Sequence, residues 1–318
     1  MTRFLVIQTA FIGDVILATP VLEKLRSHYP NARIDFLVRK GHEPLVASHP
    51  SIDEVLTWSK QRGKYSNFFR LIRQIRQNAY TCVVNLHRFA SSGLLTAFST
   101  AKDKIGFDKN PLAYFFTRKV SHKIGEGTHE VERNLHLVHD LTDQAFVRPK
   151  LYPQAPASIW LTKQLPVQKW VALINQIPAH YQVYLFGGPE DRPLCQTIDA
   201  KAQSNTRVDN LSGKLTFLQS AALMQGALMN YVNDSAPLHI ASAMNAPTTA
   251  VFCSTVPRFV FGPLSDHSWV VETPIDDLYC RPCGLHGYKA CPESHFRCAT
   301  SIDPQQLMDP LQEEIASS

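Results

Sequence analysis

The chain has 318 residues, of which 44% are hydrophobic and 19% are charged. A chain of this length can bury one large core or two ordinary ones. No window approaches the roughly 18 uninterrupted apolar residues of a membrane span, and the N-terminus lacks the features of a signal peptide, so we expect a cytoplasmic protein. The seven cysteines are not spaced as a small disulfide scaffold.

Basic residues are concentrated in the first half of the chain. Residues 1–150 contain 22 Lys and Arg against 13 Asp and Glu, whereas residues 151–318 contain 10 against 14. A basic half suits phosphates, an anionic membrane surface or nucleic acid, although uneven solvation charge explains it as well. The basic residues accompany no recognised RNA or DNA motif, so we expect no nucleic-acid partner.

The predicted elements of the first half alternate between strands and helices. The strands are FLVIQT, ARIDFLVR, EVLTW, TCVVNLH and KIGF, and the helices are VILATPVLEKLRSHY, residues 65–78 and SSGLLTAFS. This alternation predicts a parallel, doubly wound sheet. The segment HEVERNLHLVHDL, at 129–141, is predicted to form a helix that bridges two domains.

The alternation resumes after the Pro-containing stretch RPKLYPQAPA. The predicted strands are QVYLFGG, VDNLSG, LMNYVND and TTAVFC, and the predicted helices are EDRPLCQTIDAKA, FLQSAALMQGA and APLHIASAMN. We therefore predict an α/β protein with two Rossmann-like domains, residues 1–148 and 149–318. Their parallel sheets are expected to face each other across a cleft.

The stretch TAFIGDVILATP, residues 9–20, places a carboxylate where a buried strand turns into a helix. Ligands of parallel α/β sheets bind at the carboxyl ends of the strands, and Gly13 lets a ligand approach the backbone. Asp14 is therefore a candidate general base, although a plain helix cap also explains it. Neither G-x-G-x-x-G nor G-x-x-x-x-G-K-[ST] occurs, which argues against an oxidoreductase or an NTPase.

A second candidate site, NDSAPLHIASA at 233–243, follows an apolar strand of the second half. Pro237 suits the first turn of a helix, where free N–H groups favour a diphosphate. Asp234 is poorly suited to phosphate and is expected to orient the loop or bind a sugar hydroxyl. Helix capping by Asp234 or Ser235 is the alternative, and His239 is equally explained as a core histidine.

Together these segments resemble glycosyltransferase family 9, the ADP-heptose:lipopolysaccharide heptosyltransferases. The resembling segments, in chain order, are IQTAFIGDVILATPVLEKL, HEVERNL, WLTKQLP, YLFGGPED, NLSGKLTFLQSAALMQGA, NDSAPLHIASAMNAPTTAVF and FGPLS. The resemblance implies a GT-B fold, with the acceptor on the N-terminal domain and the nucleotide sugar on the C-terminal one. It also implies an inverting transfer of heptose from ADP-L-glycero-D-manno-heptose to the inner core of lipopolysaccharide.

The resemblance also assigns roles to residues. It implies Asp14 as the base and Lys163 as the phosphate contact in catalysis. The implied nucleotide-sugar site comprises Thr162, Lys163, Gly187, Asp234, Ser235, Ala236, Leu238 and His239. Inversion needs one carboxylate that accepts the proton and positive charge near the leaving diphosphate. The chain contains no D-x-D triplet, so we expect catalysis to require no metal or other cofactor.

Three features depart from the family pattern. Gln8 stands where many relatives carry Arg, and Ala236 stands where Gly is usual. Two alternatives therefore stay open: the same family with a different nucleotide-sugar donor, and a non-catalytic nucleotide-binding protein. Relatives also place a full strand ahead of the segment resembling PASIW, and no such strand is found in this chain.

The helix predicted over 65–78 carries apolar residues on one face, namely Phe68, Ile72, Ile75 and Ala79, and arginines elsewhere. An ordinary solvated helix explains this pattern. The functional interpretation is contact with anionic lipid head groups or with the phosphates of a lipid A–Kdo or inner-core acceptor, at the inner face of the inner membrane of a Gram-negative bacterium. The candidate acceptor-binding residues are Thr9, Gly13, Arg62, Lys64, Arg70 and Arg73.

Four cysteines near the C-terminus, Cys280, Cys283, Cys291 and Cys298, follow the pattern C-x2-C-x7-C-x6-C. A CxxC pair suits structural zinc, but the spacing of the second pair is loose for a zinc ribbon. Free or packing thiols, structural zinc and disulfides all stay open here. A reducing compartment disfavours the disulfides.

Overall fold

The computed structural model describes residues 2–59, 64–122, 128–151, 164–203, 206–259, 261–274, 278–284, 287–288 and 290–317. The chain forms two compact units, Met1–Tyr152 and Pro153–Ser318. The division falls a few residues beyond the predicted one, within the same Pro-containing stretch. No described helix is both long enough and apolar enough to cross a membrane.

The first unit is a six-stranded parallel sheet with helices in its connections. Its strands are β1 (Arg3–Gln8), β2 (Arg33–Arg39), β3 (Glu54–Trp58), β4 (Cys82–Asn85), β5 (Asp103–Phe107) and β6 (Arg118–Val120). Their order is β3-β2-β1-β4-β5-β6. The helices are α1 (Ile12–His28), α2 (Glu43–Val46), α3 (Lys64–Gln77), α4 (Ala90–Ala97) and α5 (Glu130–His136).

The central strand β1 explains why this unit folds as it does. It pairs in parallel with β2 on one side and β4 on the other, and all its residues after Arg3 are buried. A parallel strand covered on both faces must be apolar throughout, which is what FLVI provides. The apolar side of α1, which follows β1 directly, is buried along most of its length.

The second unit contains two separate parallel sheets among the described residues. Strands β7 (Gln182–Leu185) and β8 (Arg207–Asn210) form one sheet, and β9 (Asn230–Asn233), β10 (Thr248–Phe252) and β11 (Ser268–Glu272) form the other in the order β11-β10-β9. The helices are α6 (Val167–Ile174), α7 (Arg192–Lys201), α8 (Phe217–Gln225), α9 (Ala236–Ala243), α10 (Arg297–Thr300) and α11 (Pro304–Ser317).

The structure corrects several predicted elements. The helix expected over 129–141 ends at His136 and continues as turns. Ala79 lies outside α3 with a φ of 47°, so it does not extend the apolar face of that helix, whereas Leu71 joins Ile75 in the buried cluster. Sequence patterns also missed β6, β11, α6 and α11, of which the first two are short or partly exposed strands.

Replacing Gly106 with Ala tests how tightly β5 is packed. A Cβ at this position would lie 2.5 Å from a ring carbon of Phe116 and 3.3 Å from the carbonyl oxygen of Asn85. We expect Gly106→Ala to lower the free energy of unfolding by about 1–3 kcal/mol, because the overpacked core must shift. Denaturant unfolding monitored by circular dichroism measures this change.

Gly226→Ala is the matched control, because its added Cβ would meet nothing closer than 4.0 Å and its backbone has a negative φ. A Gly106→Ala variant as stable as Gly226→Ala would contradict the packing described for β5.

Candidate active site

Asp14 lies at the carboxyl end of the central strand of the first unit. After β1 ends at Gln8, three residues lead into α1, and Asp14 occupies the third helical position. One carboxylate oxygen of Asp14 accepts a hydrogen bond from the backbone N–H of Phe11 at 3.1 Å. Asp14 therefore does cap the helix, and its carboxylate is fixed at the edge where parallel sheets bind ligands.

The environment of Asp14 makes it a stronger base than an ordinary aspartate. Burial raises the pKa of Asp14 to about 7, and the negative charge of Glu130 adds to the shift. The Phe11 N–H bond and the positive charge of Arg88 act in the opposite direction. A carboxyl group that titrates near neutral pH is matched to general base catalysis.

The structure adds neighbours that the sequence did not single out. His87 and Arg88 follow β4, the strand next to β1, and the Nδ1 of His87 lies 3.0 Å from the hydroxyl of Thr9. Glu130, the first residue of α5, is buried and accepts a hydrogen bond from Arg133 at 2.9 Å. The sequence LHR, residues 86–88, follows β4, and adjacent parallel strands end at the same edge of the sheet. The position of these residues could therefore have indicated His87 and Arg88 as neighbours of Asp14.

The predicted acceptor-binding residues are not all brought together. Thr9 is buried against His87, and Gly13 is half-buried beside Asp14. Arg70 and Arg73 lie on the exposed face of α3, where Arg70 donates a hydrogen bond to Asn67 at 2.9 Å. The remaining two predicted residues are not placed: Arg62 lies outside the described residues, and Lys64 begins α3 without a described side chain.

In the second unit, Asp234 is held rigidly between β9 and α9. Its backbone N–H donates to the carbonyl of Val251 at 3.1 Å, and its carboxylate accepts a hydrogen bond from the hydroxyl of Thr255. Ser235 occupies the N-cap position of α9, but its hydroxyl donates to the carbonyl of Asn233 at 3.3 Å and no described side chain caps this helix. The alternative in which a side chain of Asp234 or Ser235 caps α9 is therefore not the arrangement in this structure.

The other predicted nucleotide-sugar residues differ in accessibility. Ala236 is the first residue of α9 and Leu238 is fully buried, so the side chain of Leu238 serves the core. His239 is buried with its ring centroid 6.3 Å from that of Phe261. At Gly187 an added Cβ would lie 2.7 Å from the Cβ of Asp191, so this close contact disfavours any larger residue here. Thr162 and Lys163 lie outside the described residues.

Comparisons with known proteins place this architecture in a family. The profile of Glycosyltransferase family 9 (heptosyltransferase) matches residues 68–154 and 140–284. Lipopolysaccharide heptosyltransferase 3 of Escherichia coli is 30% identical over 278 residues, which cover 77% of this chain and 82% of that protein. This chain belongs to glycosyltransferase family 9.

Solved structures agree on the fold of this family 9 glycosyltransferase. A family 9 glycosyltransferase from Veillonella parvula covers 100% of this chain and 98% of its own, with a TM-score of 0.84 and 21% identity. The E. coli ADP-heptose lps heptosyltransferase II covers 99% of both chains, with a TM-score of 0.79 and 21% identity. The predicted GT-B fold class, with parallel sheets in two Rossmann-like units, is confirmed.

One relative is longer than this chain in the aligned region. Lipopolysaccharide heptosyltransferase 1 of Pseudomonas aeruginosa is 24% identical over 355 residues, covering 98% of this chain and 97% of that protein. Because this chain has only 318 residues, the relative carries residues that have no counterpart here. The two matched ranges of the family profile overlap over residues 140–154, close to the division between the units.

The C-terminal cysteines of the glycosyltransferase line a cavity within the second unit. All four cysteines of the C-x2-C-x7-C-x6-C pattern and His295 surround a space of about 220 Å³, and the thiol of Cys280 lies 3.8 Å from Nε2 of His295. Between Cys280 and Cys283, the buried guanidinium of Arg281 donates to the carbonyls of Cys253 and Thr255. This clamp fixes the CxxC turn to the end of β10.

The geometry of this cavity bears on the three alternatives for the cysteines. Among the described residues, no three His, Cys, Asp or Glu side chains are placed to hold one metal ion. The described cysteines are all free thiols, so none of them forms a disulfide in this structure. Structural zinc at this cavity stays an untested alternative, and the structure holds these cysteines as free thiols.

Thiol reactivity and metal content test the cysteine cavity. We expect a thiol reagent at neutral pH to modify the partly exposed Cys280, Cys283 and Cys291 before Cys82 and Cys253, whose pKa values burial raises to about 12. The rates should be the same with and without a chelator. One equivalent of zinc in the purified protein, with thiols that react faster after chelation, would overturn this expectation.

Titration of Asp14 tests the site in the first unit. We expect its carboxyl carbon to titrate near pH 7 by NMR, and Glu130→Gln to lower this pKa by removing a negative charge. Because the folded pKa lies above the ordinary value of 3.8, ionisation disfavours the folded state. The contribution of Asp14 to the free energy of unfolding should therefore fall as pH rises from about 4 to about 7, and the difference between the unsubstituted protein and Asp14→Asn isolates it. The difference is needed because burial lowers the pKa of His49 and His122 to about 4, which changes the total in the opposite direction.

The matched control for this titration is Glu132→Gln on the same helix, since Glu132 bonds to the backbone of His129. Equal shifts in the two glutamine variants, or an Asp14 that titrates near pH 4, would contradict the described electrostatics.

Proposed function

We propose that this glycosyltransferase transfers heptose from ADP-heptose, with inversion, to the inner core of lipopolysaccharide, and that Asp14 is the general base. The observation that carries the proposal is the partly buried Asp14 carboxyl at the end of β1, with a pKa raised to about 7. The relatives named as lipopolysaccharide heptosyltransferases support the sugar and the acceptor. An E. coli heptosyltransferase of similar fold was solved with ADP-2-deoxy-2-fluoro heptose.

The proposed reaction transfers one proton to Asp14 and leaves one electron pair on the departing ADP. The acceptor hydroxyl oxygen attacks the anomeric carbon of heptose on the face opposite ADP, and Asp14 takes the hydroxyl proton. The bond between the anomeric carbon and the diphosphate oxygen breaks, and ADP leaves with the electron pair. Near pH 7 a substantial fraction of Asp14 is ionised and ready to accept a proton, so the rate should rise with pH through its titration.

We propose that the second unit binds the nucleotide part of the donor at the start of α9. Helix N-termini present backbone N–H groups and a partial positive charge to phosphate. Asp234 orients the loop through Thr255 and Val251, which leaves the diphosphate to the helix end. Lys163, outside the described residues, is proposed as a further phosphate contact, and no metal or cofactor is assigned to the reaction.

We propose that the first unit contacts an anionic membrane surface that carries the acceptor. Arg70, Arg73 and Arg76 are exposed on α3, and Phe69 on the same helix is 67% exposed. A second group of exposed aromatic rings lies in the loops at the carboxyl edge of the sheet and comprises Phe11, Phe89, Tyr114 and Phe115. Exposed aromatic and basic side chains together suit a lipid interface.

Calorimetric titration with ADP, UDP and GDP, with and without EDTA, tests the donor. We expect ADP to bind best and EDTA to leave its affinity unchanged. In parallel, transfer is measured by mass spectrometry of a Kdo–lipid A acceptor incubated with ADP-heptose. Asp14→Asn should bind ADP like the original chain while losing about 10²–10⁴-fold in transfer rate, since only the proton acceptor is removed.

The Glu132→Gln variant is the control for this assay, because Glu132 is a carboxylate of α5 that accepts a bond from the His129 N–H, whereas Glu130 is the α5 carboxylate that raises the pKa of Asp14. A preference for UDP or GDP would contradict the proposed ADP-sugar donor, although the assignment to family 9 would still hold. Unimpaired transfer by Asp14→Asn would show that another group accepts the proton.

A further inference from the structure

Buried side chains hold the backbone of the loop between β4 and α4 on both sides of Arg88. The hydroxyl of Ser92 shares its hydrogen between the carbonyl oxygens of His87 and Phe89, each 2.9 Å away. The side-chain amide of Asn110 donates to the same two carbonyls, each at 3.1 Å. Ser92 and Asn110 are both buried, so these hydrogen bonds fix the backbone before and after Arg88.

The same loop is also fixed to the end of the central strand β1. The backbone N–H of His87 donates to the side-chain oxygen of Asn85 at 2.9 Å, and Nδ1 of His87 lies 3.0 Å from the hydroxyl of Thr9. Gly93 lets Asn110 approach the loop, because a Cβ at Gly93 would overlap the side-chain oxygen of Asn110. The position of the loop relative to β1 is therefore set by several independent contacts.

The side chain of Arg88 is exposed, and it makes no hydrogen bond or ion pair with any residue that the structure describes. Burial is the main influence on the pKa of Asp14 and of His122, and the positive charge of Arg88 lowers the pKa of both. Arg88 therefore lies close to Asp14. By contrast, Arg133 is buried and paired with Glu130. The rigid loop thus presents a guanidinium with open donors beside the candidate base.

The position of Asp14 decides which substrate meets Arg88. In the proposed inverting transfer, the acceptor hydroxyl gives its proton to Asp14 and attacks on the face opposite ADP. A cation beside Asp14 therefore faces the acceptor and not the leaving diphosphate. Because the charges of Arg88 and Asp14 interact, a group bound by Arg88 lies close to the attacking hydroxyl.

We propose that Arg88 selects the acceptor by binding an oxyanion, either a carboxylate or a phosphate, on the sugar that carries the attacking hydroxyl. This inference rests on the proposed function, since it takes Asp14 as the base of sugar transfer. A guanidinium forms two parallel hydrogen bonds with either oxyanion. The loop is already fixed, so binding orders little backbone, and the same contact directs the hydroxyl towards Asp14.

The experiment uses the full chain and water-soluble acceptors prepared by removing the acyl chains of Kdo–lipid A. Deacylation keeps the anionic groups and removes the lipid, so contact with a membrane does not affect the result. One acceptor keeps all its anionic groups, a second lacks the phosphates, a third has its carboxyl groups reduced to alcohols, and a fourth lacks both. Calorimetry in the presence of ADP measures the affinity for each acceptor, and mass spectrometry with ADP-heptose measures KM and kcat.

The variants Arg88→Gln and Arg88→Lys are compared with the matched control Lys102→Gln. Lys102 is exposed and directly precedes β5, so it lies at the opposite edge of the parallel sheet from Asp14. We expect Arg88→Gln to bind the fully anionic acceptor about 10–100-fold more weakly, with KM raised more than kcat is lowered. Arg88→Lys should recover part of the affinity, because it keeps the charge and loses the two-pronged geometry. Lys102→Gln should match the unsubstituted protein, and ADP should bind equally to all variants.

The acceptors that lack anionic groups decide the proposal. The difference between Arg88→Gln and the unsubstituted protein should vanish with the acceptor that lacks the recognised anion, which identifies it as carboxylate or phosphate. A difference that persists with the fourth acceptor, equal affinities of Arg88→Gln and Lys102→Gln for the first, or an unsubstituted protein that binds no acceptor would each overturn the proposal. Binding that depends on Arg88 without any transfer would retain anion recognition by Arg88 and overturn the proposed transfer reaction alone.

Discussion

The burial of β1 between two parallel neighbours is the constraint on which the candidate site depends. A strand that is covered on both faces can hold only apolar side chains, so the polar groups of this part of the chain are placed at its end. That end meets the start of α1 and the end of β4, which brings Asp14, His87 and Arg88 to one edge of the sheet. The site exists there because the strands are parallel.

The pKa of Asp14 results from opposing effects whose magnitudes decide the outcome. A helix N-terminus favours a charged carboxylate by only about 0.3–1 kcal/mol, which is less than one pKa unit, or about 1.4 kcal/mol. Burial is the largest cause of the rise of the Asp14 pKa from 3.8 to about 7, and Glu130 adds its negative charge. Burial therefore exceeds the effect of the helix, and an aspartate that caps a helix can also serve as a base at neutral pH.

The described strands of the second unit form two separate parallel sheets. Its strands β7 and β9 each have one partner among the described residues, and a cavity of about 540 Å³ lies between them. The loop of Asp234 follows β9, and its backbone and carboxylate are held by Val251 and Thr255 at the end of β10. By contrast, the CxxC turn is anchored through Arg281 to β10, on the complete side of this sheet.

The sequence alone determined the features that repeat along the chain. The alternation of apolar strands and helices predicted the parallel sheets of both units, because burial on both faces leaves a continuous apolar run. The stretch TAFIGDVILATP identified Asp14, because it places one carboxylate at the carboxyl end of a buried strand, where parallel α/β sheets bind ligands. Short or half-exposed strands such as β6 and β11 were missed, because they lack such a run.

Tertiary structure decided the features that depend on contacts between distant residues. The pairing of Thr9 with His87, the charge of Glu130 near Asp14 and the clamp of Arg281 join segments that are far apart in the chain. The full burial of Leu238 and the bond from the hydroxyl of Ser235 to the carbonyl of Asn233 were likewise visible only in the structure. A sequence pattern records which residues are apolar or polar, whereas burial and pKa depend on which elements the fold packs against them.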